Sequence, residues 1–142
     1  PYALFAEAVA LDPSWESEPN ALATTANPWP ENRDEMSGVI GWRGDVDWFF
    51  IPLPAQREGP LHLLLAPPQG LSLAMGLERE DGTFLDVVRD LPPGVALDWT
   101  ETMNHSLANQ VGVRVSIKAA GRAYDPVHRY SLKRSFRGKK SV

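Results

Sequence analysis

Proline and glycine break this chain into short segments along most of its length, with 13 Pro and 11 Gly among 142 residues. Between them, apolar residues either alternate with polar ones or run on for a few positions. Regular turn signals between short runs of this kind are typical of β-sandwiches and β-barrels. We therefore predict an all-β fold of about eight strands, an antiparallel β-sandwich or a barrel.

Eight segments have the length and pattern of strands. They lie near residues 37–40, 47–53, 61–66, 71–78, 83–88, 95–100, 111–117 and 130–136. Asp81-Gly82 between two of them indicates a tight hairpin, and Pro92-Pro93-Gly94 indicates another turn. The polar residues 101–110 are predicted to form a loop, and residues 13–36 an extended lead-in.

Alternation assigns faces to three of these strands, because successive side chains of a strand point to opposite sides of the sheet. The residues predicted to face the core are Phe49, Ile51, Leu53, Leu61, Leu63, Leu65, Val111, Val113, Val115 and Ile117. The residues predicted to face outward are Trp48, Phe50, Arg114 and Ser116.

Composition excludes several classes of protein. The length suits one domain. Cysteine is absent, which excludes disulfide scaffolds, zinc ribbons, thiol catalysis and iron–sulfur clusters. No apolar run approaches the ~20 residues that span a bilayer, so we expect no membrane span. The net charge of -4 argues against nucleic acid as a partner.

Charge is distributed unevenly, and the acidic half contains candidate cation ligands. Residues 1–71 hold three basic and ten acidic side chains, whereas residues 72–142 hold eleven and eight. Glu16, Glu18 and Asn20 alternate, as do Asp45 and Asp47, so each set would share one face of an extended chain. Calcium takes six to eight oxygen ligands of these types. The alternative is that Asp45 caps a turn and the glutamates are solvated.

Several motifs, in order, resemble the bacterial pre-peptidase C-terminal domain. They are Glu16-Ser17-Glu18-Pro19-Asn20, Ser37-Gly38-Val39-Ile40, Gly44-Asp45-Val46-Asp47-Trp48-Phe49, Asp81-Gly82-Thr83, Val113-Arg114-Val115 and Tyr130-Ser131-Leu132. The resemblance covers residues 14–136. It implies a jelly-roll-like sandwich that is not an enzyme and is appended to an exported bacterial protein, whether secreted, periplasmic or at the cell surface.

The resemblance also implies a metal site. The collagen-binding domains of clostridial collagenases are similar to this family, and in them calcium ties the N-terminal segment to the sheet. Carried over by motif position, the ligands here are Glu16, Glu18, Asn20, Asp45 and Asp47. Ala21 departs from the pattern, because the family often has Asn or Asp there. The implied partner is a protein or an extracellular-matrix or cell-surface polymer, bound by a monomeric domain of a larger chain.

Residues 1–13 are interpreted as a lead-in or the end of an upstream element, and residues 137–142 as a basic, solvated tail. The run 3–11 has helical propensity but is too short to be stable alone in water. Its apolar residues Leu4, Phe5, Val9 and Leu11 either pack on the sandwich as a clasp or dock a partner protein. The second alternative makes the chain a docking module of a regulatory or surface protein.

Aromatic and histidine residues are the remaining candidates for function. Trp15, Trp29 and Trp42 lie in predicted loops or strand edges and are candidates for a binding surface, the alternative being that they cover the ends of the sandwich. His62, His105 and His128 accompany no G-x-S-x-G, H-E-x-x-H or P-loop pattern. We therefore predict no catalytic residues.

Overall fold

The computed structural model describes residues 26–30, 32–57 and 59–136. These ranges contain nine strands and no helix, and therefore no helix that could cross a membrane. The strands are β1 (Asn27–Pro28), β2 (Glu35–Ile40), β3 (Val46–Pro52), β4 (Leu61–Ala66), β5 (Leu73–Arg79), β6 (Phe84–Val88), β7 (Leu97–Thr100), β8 (Gly112–Ala119) and β9 (Asp125–Phe136).

The strands form two sheets packed face to face. The five-stranded sheet has the order β1-β3-β8-β5-β6, and the four-stranded sheet has the order β2-β9-β4-β7. Every pairing is antiparallel except that of β1 with β3, which is parallel. The predicted all-β sandwich is therefore confirmed.

All eight predicted strands are present; β4 has the predicted bounds, and the other seven have at least one shifted end. The Asp81-Gly82 hairpin joins β5 to β6, with Gly82 at φ 89° and the Thr83 amide donating to Asp81 Oδ1 at 2.9 Å. The prediction missed β1, because two residues within a proline-rich lead-in carry no periodic signal. The predicted start of β9 is also five residues too late. The first residues of β9 were missed because a register irregularity separates the pair Ile40–Asp125 from the other pairs between β2 and β9.

The core lies between the two inner faces, and alternation predicted most of it. Nine of the ten residues predicted to face the core are buried. Val111 is the exception, with 63% of its surface exposed. It precedes β8, where its carbonyl accepts a hydrogen bond from the Leu53 amide at 2.9 Å. The prediction for Val111 is wrong because the apolar alternation starts at Val111, one residue before β8 begins.

Candidate functional site

The turn between β2 and β3 carries the chain from the four-stranded sheet to the five-stranded sheet. Gly44 has φ 83°, a left-handed conformation that glycine adopts without steric cost. The Asp45 amide donates to the Trp42 carbonyl at 3.1 Å, and Asp45 Oδ2 accepts from the Gly41 amide at 2.8 Å. Asp45 therefore caps this turn.

Asp47 lies two residues further along β3, on the face that carries Phe49 into the core. Tyr130 on β9 approaches it from the opposite sheet, and its hydroxyl donates to Asp47 Oδ2 at 2.6 Å. The Phe49 ring packs edge-on against the Tyr130 ring, with the ring centroids 6.5 Å apart. The two sheets are thus joined at this point by a buried hydrogen bond beside an aromatic contact.

Both carboxylates are withdrawn from water. Asp45 is 2% exposed and Asp47 is fully buried, and Oδ1 of each is buried as well. Asp45 lies in the turn directly before β3, and Asp47 is the second residue of that strand. Burial of a carboxylate costs several kcal/mol unless hydrogen bonds or a positive charge offset it. We define Asp45, Asp47 and the turn 41–45 as the acidic corner of the sandwich.

The remaining predicted ligands, Glu16, Glu18 and Asn20, lie outside the described residues. Within the described part of the chain, no three His, Asp or Glu side chains form a group able to hold a metal ion. Of the five predicted ligands, Asp45 and Asp47 are the two that lie within the described residues.

The register of β1 shows from which direction the preceding chain arrives. Asn27 pairs with Phe49 in parallel, and the Asn27 side-chain amide donates to the Trp48 carbonyl at 3.3 Å. Because parallel strands run in the same direction, the chain upstream of Asn27 comes from the end of β3 at which Asp45 lies. The acidic corner is therefore at the same end of the sandwich as the start of β1.

The three candidate tryptophans differ in position. Trp15 lies outside the described residues. Trp29 is buried: its ring packs edge-on against Phe49 with centroids 6.3 Å apart, and its indole N–H donates to the Arg33 carbonyl at 2.7 Å. The Trp29 side chain is therefore part of the core and presents no binding surface. Trp42, in the turn of the acidic corner, is 51% exposed and is accessible to a partner.

A polar trio on the outer face of the four-stranded sheet was not predicted. His62 Nε2 lies 2.6 Å from Asp98 Oδ1, and His62 Nδ1 lies 3.5 Å from Ser135 Oγ. The serine distance exceeds the ~2.5–3.0 Å usual for a hydroxyl hydrogen bond, so we assign no activated nucleophile. The sequence carries no sign of this trio, because only the pairing of β4 with β7 and β9 brings the three residues together.

Glu101 connects two loops at the other end of the sandwich. Its carboxylate accepts two hydrogen bonds from the Arg57 guanidinium and one each from the Leu61 and Leu107 amides, at 2.5–3.1 Å. Burial is the largest single influence on the pKa of the Glu101 carboxyl group, and it raises that pKa. The hydrogen bonds from Arg57, Leu107 and Leu61 together outweigh burial, so the pKa of Glu101 is lowered.

Comparison of the sequence with models of known protein families and with curated proteins gives no match.

Proposed function

We propose that this chain is a non-catalytic accessory β-sandwich domain of an exported bacterial protein, stabilised by calcium bound at the acidic corner. The observation that carries the proposal is the burial of both Asp45 and Asp47 at the end of the sandwich from which the chain enters β1. The resemblance of residues 14–136 to the pre-peptidase C-terminal domain supports the same function.

Chain length allows the proposed ligands to meet. Asn20 is six residues before Ala26, the first described residue, and six extended residues span about 20 Å. The chain arrives from the Asp45 end, so this span is sufficient for Glu16, Glu18 and Asn20 to return to the corner. Their carboxylate and amide oxygens, with those of Asp45 and Asp47, are of the type that calcium prefers.

The role of the ion in this proposal is structural. The carboxylates repel one another when they are brought together without a cation. Calcium removes that repulsion and attaches the N-terminal segment to the first residues of β3. Because the complete ligand set exists only in the folded chain, calcium stabilises the folded state by mass action, by about 2.7 kcal/mol at a concentration one hundred times the Kd.

Thermal unfolding tests the calcium site directly. The melting temperature of the 142-residue chain is measured in excess calcium, in excess chelator, and in magnesium at the same ionic strength. We expect calcium to raise it and magnesium to have little effect, because magnesium requires a smaller and more regular octahedral shell. Identical melting curves in calcium and chelator would falsify the proposed ion.

The accessory role predicts binding of a protein or polymer surface without turnover of it. Trp42 is the candidate anchor because it is half-exposed in the turn of the acidic corner. Co-sedimentation with insoluble collagen, chitin and peptidoglycan measures binding. Trp42→Ala is the test variant. Phe84→Ala is the control, because it also removes an exposed aromatic ring: Phe84, on β6, is 67% exposed. Hydrolysis of generic protease, esterase or glycosidase substrates would contradict a non-catalytic role.

A further inference from the structure

A cleft opens at the end of the sandwich beside the acidic corner. It lies where β2 and β8 end and where β3 and β5 begin, and its volume is about 450 Å³. Pockets of ~300–1,000 Å³ enclose most of a small ligand. A folded protein partner, in contrast, usually covers ~800 Å² of surface on each side. The cleft therefore fits a small molecule, or one stretch of a polymer built from small units, better than it fits the surface of a protein.

The backbone of the strand ends at the cleft is already paired. Lys118, near the end of β8, pairs with Val46 of β3 on one side and with Ala74 of β5 on the other. An extended peptide that joins a sheet as a further strand needs a free strand edge. This part of the cleft offers no such edge, so a ligand has to be recognised by side chains.

Small side chains leave the wall of the cleft open. Ala120 and Ala123 are exposed, and Val46 and Ala74 are partly buried. These residues present aliphatic carbon without a bulky group that would fill the space. The other apolar residues that line the cleft are buried and form its floor: Ile40, Leu73 and Ala119.

Charges around the cleft nearly balance. The lining, the turns 41–45 and 120–124 and the residue after the second turn carry four basic and three acidic side chains, a formal charge of +1: Arg43, Arg89, Lys118, Arg122, Asp45, Asp90 and Asp125. Part of this charge is offset within the fold, since Arg89 Nε lies 3.6 Å from Asp90 Oδ2. A polyanion or a polycation would meet like charges as well as opposite ones. The balance therefore favours an uncharged ligand that both donates and accepts hydrogen bonds.

Two exposed aromatic residues lie on the turns that bound the cleft. Trp42 is 51% exposed and Tyr124 is 54% exposed. Ile40 of β2 pairs with Asp125 of β9, so Trp42 follows this pair by two residues and Tyr124 precedes it by one. The electron-rich face of an aromatic ring attracts groups that carry a partial positive charge. The C–H face of a sugar ring is such a group, and the hydroxyls at its edge both donate and accept hydrogen bonds.

We propose that this end cleft, with Trp42 and Tyr124 on the turns beside it, binds a neutral polysaccharide. Sugar rings stack on the two aromatic side chains, and their hydroxyls bond to the Lys118 ammonium and to the Asp90 carboxylate, which is 85% exposed. This binding site deepens the accessory role proposed above, on which it rests, by naming a glycan as the partner.

Affinity electrophoresis of the 142-residue chain in native gels tests the site. Each gel contains calcium and one polymer: hydroxyethyl cellulose, galactomannan or soluble β-glucan as a neutral polysaccharide, polygalacturonate as an acidic one, or gelatin as a protein. The test variants are Trp42→Ala, Tyr124→Ala and Ala123→Tyr, the last of which fills the cleft from an exposed position. Phe84→Ala is the matched control, because it removes an exposed ring at the opposite end of the sandwich.

The expected result is that at least one neutral polysaccharide retards the chain. The retardation should persist in high salt, because an uncharged ligand releases no counterions. Each test variant should weaken binding by about tenfold or more, as loss of an interface anchor does, whereas Phe84→Ala should not change it.

Three outcomes overturn the glycan site. They are retardation by polygalacturonate alone, retardation by no polysaccharide, and equal retardation of Tyr124→Ala and the unmodified chain. Retardation by gelatin alone that is lost in Trp42→Ala also overturns the glycan site, but it supports the accessory binding role. The accessory role itself fails only if the chain also does not co-sediment with collagen, chitin or peptidoglycan, so the two failures are distinguishable.

Discussion

Tyr130 and Asp47 face each other across the two sheets, and the tyrosine hydroxyl donates a 2.6 Å hydrogen bond to a fully buried carboxylate oxygen. Hydrogen bonds to charged groups contribute about 1.5–3 kcal/mol, and removal of one partner leaves the other with its cost of burial. This contact therefore connects β3 to β9 through a buried polar interaction.

Tyr130→Phe is expected to lower the free energy of unfolding by about 1.5–3 kcal/mol, because it removes the donor to Asp47 and keeps the ring. Urea unfolding followed by tryptophan fluorescence measures the change. Tyr124→Phe is the matched control, since Tyr124 is 54% exposed, and it should have almost no effect. Equal midpoints for the two variants would show that the hydrogen bond contributes nothing.

The lowered pKa of Glu101 predicts a loss of stability in acid. The ordinary pKa of this carboxyl group is 4.5, and its pKa in the folded state is lower. Such a carboxylate stabilises the fold at pH values above 4.5. The contribution is lost as the pH falls through the lower, folded-state pKa. Glu101→Gln should therefore flatten the dependence of stability on pH below about 4.5, measured by urea midpoints from pH 7 to pH 3. A slope identical to that of the unmodified chain counts against this assignment.

Arg57 is expected to be the main side-chain partner in this connection. Arg57→Ala leaves the Glu101 carboxylate, which is 9% exposed, with only its two backbone donors, and should cost about 2 kcal/mol. Arg122→Ala provides the control, because Arg122 is exposed. If both arginine variants unfold at the same urea concentration, the guanidinium has no structural role.

Gly112 is predicted to tolerate no side chain. A Cβ atom at this position would lie 2.0 Å from Cζ of the Phe50 ring, which covers the glycine on the outer face of the five-stranded sheet. Gly112→Ala should destabilise the fold by about 1–3 kcal/mol through overpacking. Gly70→Ala is the control, as nothing lies within 4 Å of its Cβ position. Circular dichroism melting of both variants makes the comparison, and Phe50→Leu should partly rescue Gly112→Ala.

Single-residue variants test whether the proposed calcium ligands differ from ordinary acidic residues. Asp45→Asn keeps an oxygen to cap the turn but removes a charge, and Glu18→Gln removes a charge from the N-terminal segment. Both are expected to reduce or abolish the rise in melting temperature caused by calcium. Glu35→Gln, at an exposed position on β2, should leave that rise intact. A full calcium response in both test variants contradicts the proposed ligand set.

Local patterns were sufficient for the class of fold and for most of the core. Alternation in β3, β4 and β8 predicted which side chains are buried, because a strand with one face in a core must place apolar residues at every second position. The Asp81-Gly82 hairpin was also predictable, since its geometry depends on neighbouring residues alone. The same local rule failed at Val111, where the apolar pattern starts one residue before β8 begins.

Tertiary structure alone decided which strands are neighbours, and with them the polar sites. Asp47 meets Tyr130 across 83 positions of sequence, and His62 meets Asp98 and Ser135 only through the register of three strands. The sequence marked Asp45 and Asp47 as a pair, because alternation is local. The tertiary structure placed that pair in the interior, because the approach of a second sheet determines whether a carboxylate faces water or a tyrosine hydroxyl.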